Sequence, residues 1–190
     1  MIENSDSGLM LPIEAVITQS MRKGAGEIIA TGKLGEIAQE AVKNVSAIIK
    51  LYSKKPLTDY DIHIQFLQAY SGVEGDSASI SVAIGILSAL TNIPVKQSVA
   101  MTGSLSIWGE VLPVGGVTSK VEAAINAGIK EVIIPASNIN DLVLSDPSKI
   151  KVMAASSIVD VIKNALIDTP DKKRLISAVK KSLQKAYAKK

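Results

Sequence analysis

The sequence contains no cysteine. Disulfides, thiolate metal sites and a cysteine nucleophile are therefore excluded. It has a single histidine, His63, so a metal site built from several imidazoles is excluded too. Any catalytic base other than His63 must be a lysine, a carboxylate or a tyrosine. Aromatic residues make up only 3% of the chain against 47% for hydrophobic residues as a whole, so the core has to be built from Ile, Val, Leu and Ala. Long apolar runs are also missing. The longest mostly apolar stretch, Ile80–Leu90, is broken by Ser and Gly and is too short to span a bilayer. Met1 to Gly8 is polar and acidic and lacks the pattern of a signal peptide, which sets the expectation of a cytoplasmic protein. Excess charge is scarce as well: the formal net charge of +3 does not by itself imply nucleic acid.

What is present is patterned. Leu11–Thr18 and Glu27–Thr31 read as short strands around the basic turn Arg22-Lys23-Gly24-Ala25-Gly26. Leu34–Leu51 carries Ile37, Ala38, Ala41, Val42, Val45, Ile48 and Ile49 at helical spacing. Pro56–Asp59 is a loop, and Asp61–Leu67 alternates like a strand. Ser77–Leu90 is a helix that is apolar nearly all round, hence buried. Val99–Ser106 and Glu110–Val114 are expected to form a hairpin turning at Trp108-Gly109. A helix follows over Lys120–Ala127, capped by Gly128, then a strand at Glu131–Pro135 and a short helix near Ile139–Leu144. A strand at Ile150–Ala154, a helix at Ile158–Leu166 and a basic helix over Pro170–Lys190 complete the chain. The expected architecture is a single α/β (α+β) domain over 1–190, with residues 1–10 a partly disordered segment.

The chemistry concentrates in two places. Gly75-Asp76-Ser77-Ala78-Ser79 surrounds a serine with small residues at the mouth of a buried helix. With Asp76 as N-cap, Ser77 stands where free N–H groups and the helix dipole stabilise an oxyanion. Serines at helix starts are common, and simple capping is the bland reading. A nucleophilic serine needs a base. Ser119-Lys120-Val121-Glu122 fits a capping box, which puts Lys120 first in its helix. There the dipole and partial burial favour the neutral amine that a base must be. A solvent-facing lysine is the ordinary alternative. Thr102, before the hairpin, is placed to accept from Lys120 and orient it, or is merely a strand residue. Glu74 and Asp76 flank the serine turn, and a carboxylate there would position Lys120 while favouring its charged form. His63 alternates against Ile62 and Ile64, a pattern more typical of a structural histidine than of a base.

Taken together, FLQAYSGVEGDSAS (Phe66–Ser79), AMTGS (Ala100–Ser104), GEVLPVGGVTSK (Gly109–Lys120) and AAINAGIKEVIIP (Ala123–Pro135) resemble the proteolytic domain of Lon proteases of the archaeal B-type branch. The resemblance implies a Ser–Lys dyad of Ser77 and Lys120 supported by Thr102, with Glu74 and Asp76 near it. It implies a fold related to a ribosomal-protein-like α/β fold and hydrolysis of peptide bonds in unfolded polypeptides. It also implies a homo-hexamer whose full-length chain has an ATP- and magnesium-dependent AAA+ module and an anchor to the cytoplasmic face of the membrane. The A-type branch carries Pro and Gly where this chain has Asp76 and Ser79, and a second histidine where it has Gln65, so details of that branch around His63 do not transfer. No Gly-x-x-x-x-Gly-Lys-Ser/Thr phosphate loop occurs here, so no cofactor is expected in this chain. Two other readings compete. One is a non-catalytic RNA- or protein-binding module using the basic stretch from Lys172 to Lys190; it has no use for Ser77 or Lys120. The other is a different Ser–Lys hydrolase such as an amidase, which leaves the downstream blocks unexplained.

Overall fold

The computed structural model describes residues 8–52 and 57–188. Most of the segment read as disordered (1–7), Pro56 of the expected loop and the last two residues of the basic helix lie outside the described residues; the rest of that loop, Leu57–Asp59, is a short 3-10 turn. Strand β1 (Ile13–Gln19) pairs antiparallel with β3 (Tyr60–Phe66), and β2 (Ile28–Thr31) pairs parallel with the other edge of β3, in the order β1-β3-β2. Alternation decides which face is covered. Ile62, Ile64 and Phe66 are buried, while His63 and Gln65 are exposed. Helix α1 (Glu36–Tyr52) buries Ala38, Ala41, Val42, Val45, Ile48 and Ile49. Ile37, expected in that stripe, is 56% exposed, because it sits in the first turn at the edge of the buried arc.

Helix α2 (Ser79–Thr91) runs through the centre of the molecule. Ile80, Val82, Ala83, Ile84, Ile86 and Leu87 are all buried, which is why the segment is apolar on every side. A second sheet, β4 (Val99–Met101), β7 (Glu131–Pro135) and β8 (Lys151–Ala155), is parallel in the order β4-β7-β8. Helix α3 (Val117–Asn126) packs on it through Val117, Val121 and Ala124, and these join Ala100, Val132, Ile134 and Ile150 in a small second core. Helix α4 (Ile158–Ala165) and helix α5 (Pro170–Tyr187) close the main core, α5 through Val179 with Leu175, Ile176 and Leu183.

Four expectations require correction. The long hairpin is only a two-residue ladder, β5 (Ser104–Leu105) with β6 (Val111–Leu112). β4 leaves it to pair with β7, since a buried parallel position satisfies its backbone and hides Val99 and Ala100 together. Ser77 does not begin α2, which starts at Ser79 with Ala78 as an N-cap that makes no side-chain bond. Lys120 is the fourth residue of α3, not the first. The helix starts at Val117 because Gly116 adopts a left-handed φ of 63° as its N-cap. Glu122 is not part of a capping box: its carboxylate accepts from the Ser145 N–H at 2.7 Å. The segment read as a helix near Ile139–Leu144 is a 3-10 turn over Ala136–Asp141.

Candidate active site

The turn that carries Ser77 is held from two directions. On one side, the loop leaving β3 is stapled to the β2–α1 junction: Val73 N–H donates to Lys33 O at 3.1 Å, and Gly35 N–H to Val73 O at 3.0 Å. On the other, three consecutive residues running from the end of β4 into β5 grip it. Thr102 Oγ1 donates to Ser77 O at 3.3 Å, Gly103 N–H donates to the same oxygen at 2.7 Å, and Ser104 Oγ donates to Asp76 Oδ2. Ile80 N–H returns a bond to Gly103 O at 3.2 Å. Asp76 O accepts from the Ser79 N–H at 3.0 Å and from Ser79 Oγ at 2.5 Å, so it closes the turn with its main chain rather than capping α2 with its carboxylate. Among the described residues the N–H groups of Ser77 and Ala78 have no hydrogen-bond partner. A shallow apolar recess, floored by Ala41, Val42, Phe66 and Val82, opens beside this turn.

Lys120 is half-buried on the first turn of α3. Its Nζ donates to Gly115 O at 2.9 Å; no hydrogen bond joins it to the Ser77 hydroxyl among the described residues. Burial holds the amine below the ordinary lysine value, and the nearby Asp76 carboxylate partly opposes that by favouring the cation. The loop before α3 is fixed by Asn138, which is 4% exposed. Its amide oxygen accepts from Val114 N–H at 2.9 Å, and its amide nitrogen donates to Val114 O at 3.2 Å and to Asp141 Oδ2 at 2.9 Å.

The structure thus brings Ser77, Asp76, Thr102 and Lys120 into one neighbourhood, with different partners from those expected. Thr102 supports the main chain of Ser77 instead of accepting from Lys120. Asp76 is the carboxylate that acts on Lys120. Glu74 points elsewhere: its carboxylate fills the space where Gly35 lacks a side chain, just before α1. His63 lies on the open face of the first sheet, 3.4 Å from Thr18 Oγ1 and bordered by Glu14, Val16 and Thr31. Ser104 and Asn138 escaped sequence reasoning. Ser104 lies inside the Ala100–Ser104 block, so its position was flagged though its role was not. Nothing in the sequence marks Asn138.

Residues 3–168 match the family model of the Lon protease C-terminal proteolytic domain. The chain belongs to that family. It is 58% identical to the archaeal Lon protease of Thermococcus kodakarensis over 93% of this chain and 28% of that protein. It is 57% identical to the archaeal Lon protease of Pyrococcus abyssi over 96% of this chain and 18% of that protein. Similarity reaches the Lon protease of Geobacter metallireducens at 37% identity over 86% of this chain and 20% of that protein. The chain therefore spans 28% or less of these relatives and corresponds to the Lon proteolytic domain. Among the described residues no helix is long and apolar enough to cross a membrane, and no group of three His, Asp or Glu could hold a metal ion. With no phosphate loop either, the described residues offer no fit for ATP and magnesium, and no step is routed through them.

Proposed function

We propose that the chain is a serine endopeptidase that hydrolyses peptide bonds in unfolded polypeptides, with Ser77 as nucleophile and Lys120 as general base. The observation that carries this reading is the pairing of a pinned serine turn with a half-buried lysine whose amine is held below its ordinary pKa by burial. A lysine so placed spends more of its time as the neutral amine at working pH, the form able to take the Ser77 proton. The Ser77 oxygen then attacks the substrate carbonyl, and the carbonyl oxygen becomes an oxyanion. The unpartnered N–H groups of Ser77 and Ala78 are the candidate donors for it. The protonated Lys120 returns its proton to the leaving amine as the C–N bond breaks, and water releases the acyl group from Ser77 by the same route in reverse.

Lys120 reaches Gly115 O in the free enzyme. Catalytic hydrogen bonds are commonly long in unliganded enzymes and tighten when substrate binds, so a swing of one long side chain completes the pair. Thr102 and Gly103 fix the carbonyl of the residue that attacks, which limits where its hydroxyl can go. The full-length protein is proposed to be a homo-hexamer with an AAA+ module that uses ATP and magnesium to feed substrate, anchored at the cytoplasmic face of the membrane. The binding-module reading is not favoured, because the matched family is a proteolytic domain.

Cleavage of an unstructured fluorogenic peptide tests the proposal. Ser77→Ala and Lys120→Ala are each expected to abolish turnover, and a serine-directed phosphonate is expected to label Ser77 alone. Turnover at the parental rate in either variant would remove that residue from the mechanism.

A further inference from the structure

Gly8 rests on the backbone of the helix that carries Lys120. A Cβ built at Gly8 would overlap the Ser119 carbonyl oxygen, stand 2.6 Å from its carbon and 2.8 Å from Lys120 Cα. Interiors are packed too tightly to absorb such overlap without movement. Two residues on, Met10 packs against the second core, to which α3 contributes Val117, Val121 and Ala124. Pro12 O then accepts from Leu67 N–H at 2.9 Å, and Ile13 enters β1 opposite Phe66. The short segment from Gly8 to Pro12 therefore touches the helix of Lys120 at one end and the end of β3 at the other, and the loop that leaves β3 ends in the Ser77 turn. The N-cap of α3, Gly116, supplies no side-chain bond; its first turn is held on one side by Thr118, whose hydroxyl donates to Asp141 O at 3.2 Å and accepts from Val143 N–H at 3.1 Å, and on another by Gly8.

We propose that Gly8–Pro12 is a positioning strap that sets where Lys120 stands relative to Ser77, with Gly8 as the contact point because only a residue without a side chain lies flat on α3. The strap gives the chain entering this domain a mechanical hold on the base. The inference rests on the reading of Lys120 as that base.

The test uses the full chain labelled with carbon-13 at lysine Cε, so that the titration of Lys120 is read without any need for turnover; its resonance is identified by its loss in Lys120→Ala. Asp76 faces Lys120 from the turn before α2, and Glu122 on α3 is engaged with Ser145; both are left intact in every variant. Gly8→Ala is expected to move the Lys120 midpoint upward, toward the ordinary lysine value of about 10.4, as the amine leaves its half-buried place. For a fluorogenic peptide, kcat is expected to fall on the order of tenfold to a hundredfold with KM little changed. Gly26→Ala is the matched control. A Cβ there would overlap Tyr60 O and stand 2.8 Å from Thr58 O, the same kind of collision at a site remote in sequence from α3. It is expected to lower Tm and leave the Lys120 midpoint in place. Met10→Ala loosens the strap without a collision and is expected to give a smaller shift of the same sign, which keeps the test alive where Gly8→Ala does not fold. A parental midpoint in Gly8→Ala, or in Met10→Ala when that is the variant read, overturns the strap; so does an equal shift in Gly26→Ala. Full turnover by Lys120→Ala would sink the base reading instead, while the titration still reports on the strap.

Discussion

The Ser104 hydroxyl donates to the Asp76 carboxylate, so a buried serine holds the acidic group that, among the described residues, acts on Lys120. Asp76 favours the charged lysine, and its hold on that cation depends on how much of its charge Ser104 takes up. Substitutions at the two positions are expected to move the pH dependence in opposite directions. Asp76→Asn removes the charge, and the rising limb of kcat/KM should move to lower pH by up to about one unit. Ser104→Ala leaves the full carboxylate facing Lys120, and the limb should move to higher pH by less than about one unit. Shifts of the same sign in both profiles would show that Asp76 does not act through Lys120.

Stability carries the same signature. Burial holds Lys120 below 10.5 in the folded chain. Between that lowered value and 10.5 the unfolded chain binds more protons at this group, so its contribution to stability rises with pH across the window. Lys120→Met has no such group. The Tm of the parent minus that of Lys120→Met is therefore expected to climb as pH rises through the window, measured by calorimetry at matched ionic strength. A flat or falling difference would contradict burial as the dominant cause.

Thr102 is 8% exposed, and its hydroxyl shares the Ser77 carbonyl with Gly103 N–H. Thr102→Val keeps the shape and removes the donor. It should cost about 0.5–1.5 kcal/mol in denaturant unfolding and lower kcat more than it raises KM, while Thr102→Ser restores both. Recovery with serine absent, or a loss confined to KM, would place Thr102 outside the support of the turn.

Lys172 is 4% exposed and donates to Lys163 O at 2.5 Å, to Leu166 O at 2.8 Å and to Asp168 Oδ1 at 2.7 Å. It thus closes the C-terminus of α4 with a cation, where the helix dipole welcomes one. Lys172→Met leaves two carbonyls without a donor and is expected to cost about 2–3 kcal/mol in urea unfolding, with the pH profile of cleavage unchanged. Lys172, part of the basic stretch of α5, is thus a buried cation and not part of an exposed basic face.

Local pattern carried much of the fold. Glu131–Pro135 is the strand that its apolar run predicts, and Gly128 closes α3 with a φ of 80°. Boundaries set by long-range contacts were not legible. β4 pairs with β7 across the intervening hairpin and helix, and nothing near Val99 announces a partner that distant in sequence. The capping-box pattern at Ser119 misled because Ser145 and Glu122 meet only in three dimensions; the informative signal was the adjacent Gly115-Gly116. The capping box that does exist, Ser157 with Asp160, has the same spacing and a carboxylate one methylene shorter. For the candidate site, residue identity was readable and partnership was not. Thr102 lies near both members of the proposed pair in sequence blocks, yet only coordinates show that its hydroxyl is turned to Ser77.

Gly103 N–H is a main-chain donor from the connection between β4 and β5 to an acceptor in the turn that precedes α2. Its proton exchanges with solvent only when that connection and that turn separate. The slow exchange of a single amide thus becomes a clock for how often that connection and the Ser77 turn come apart, whether or not any substrate is present.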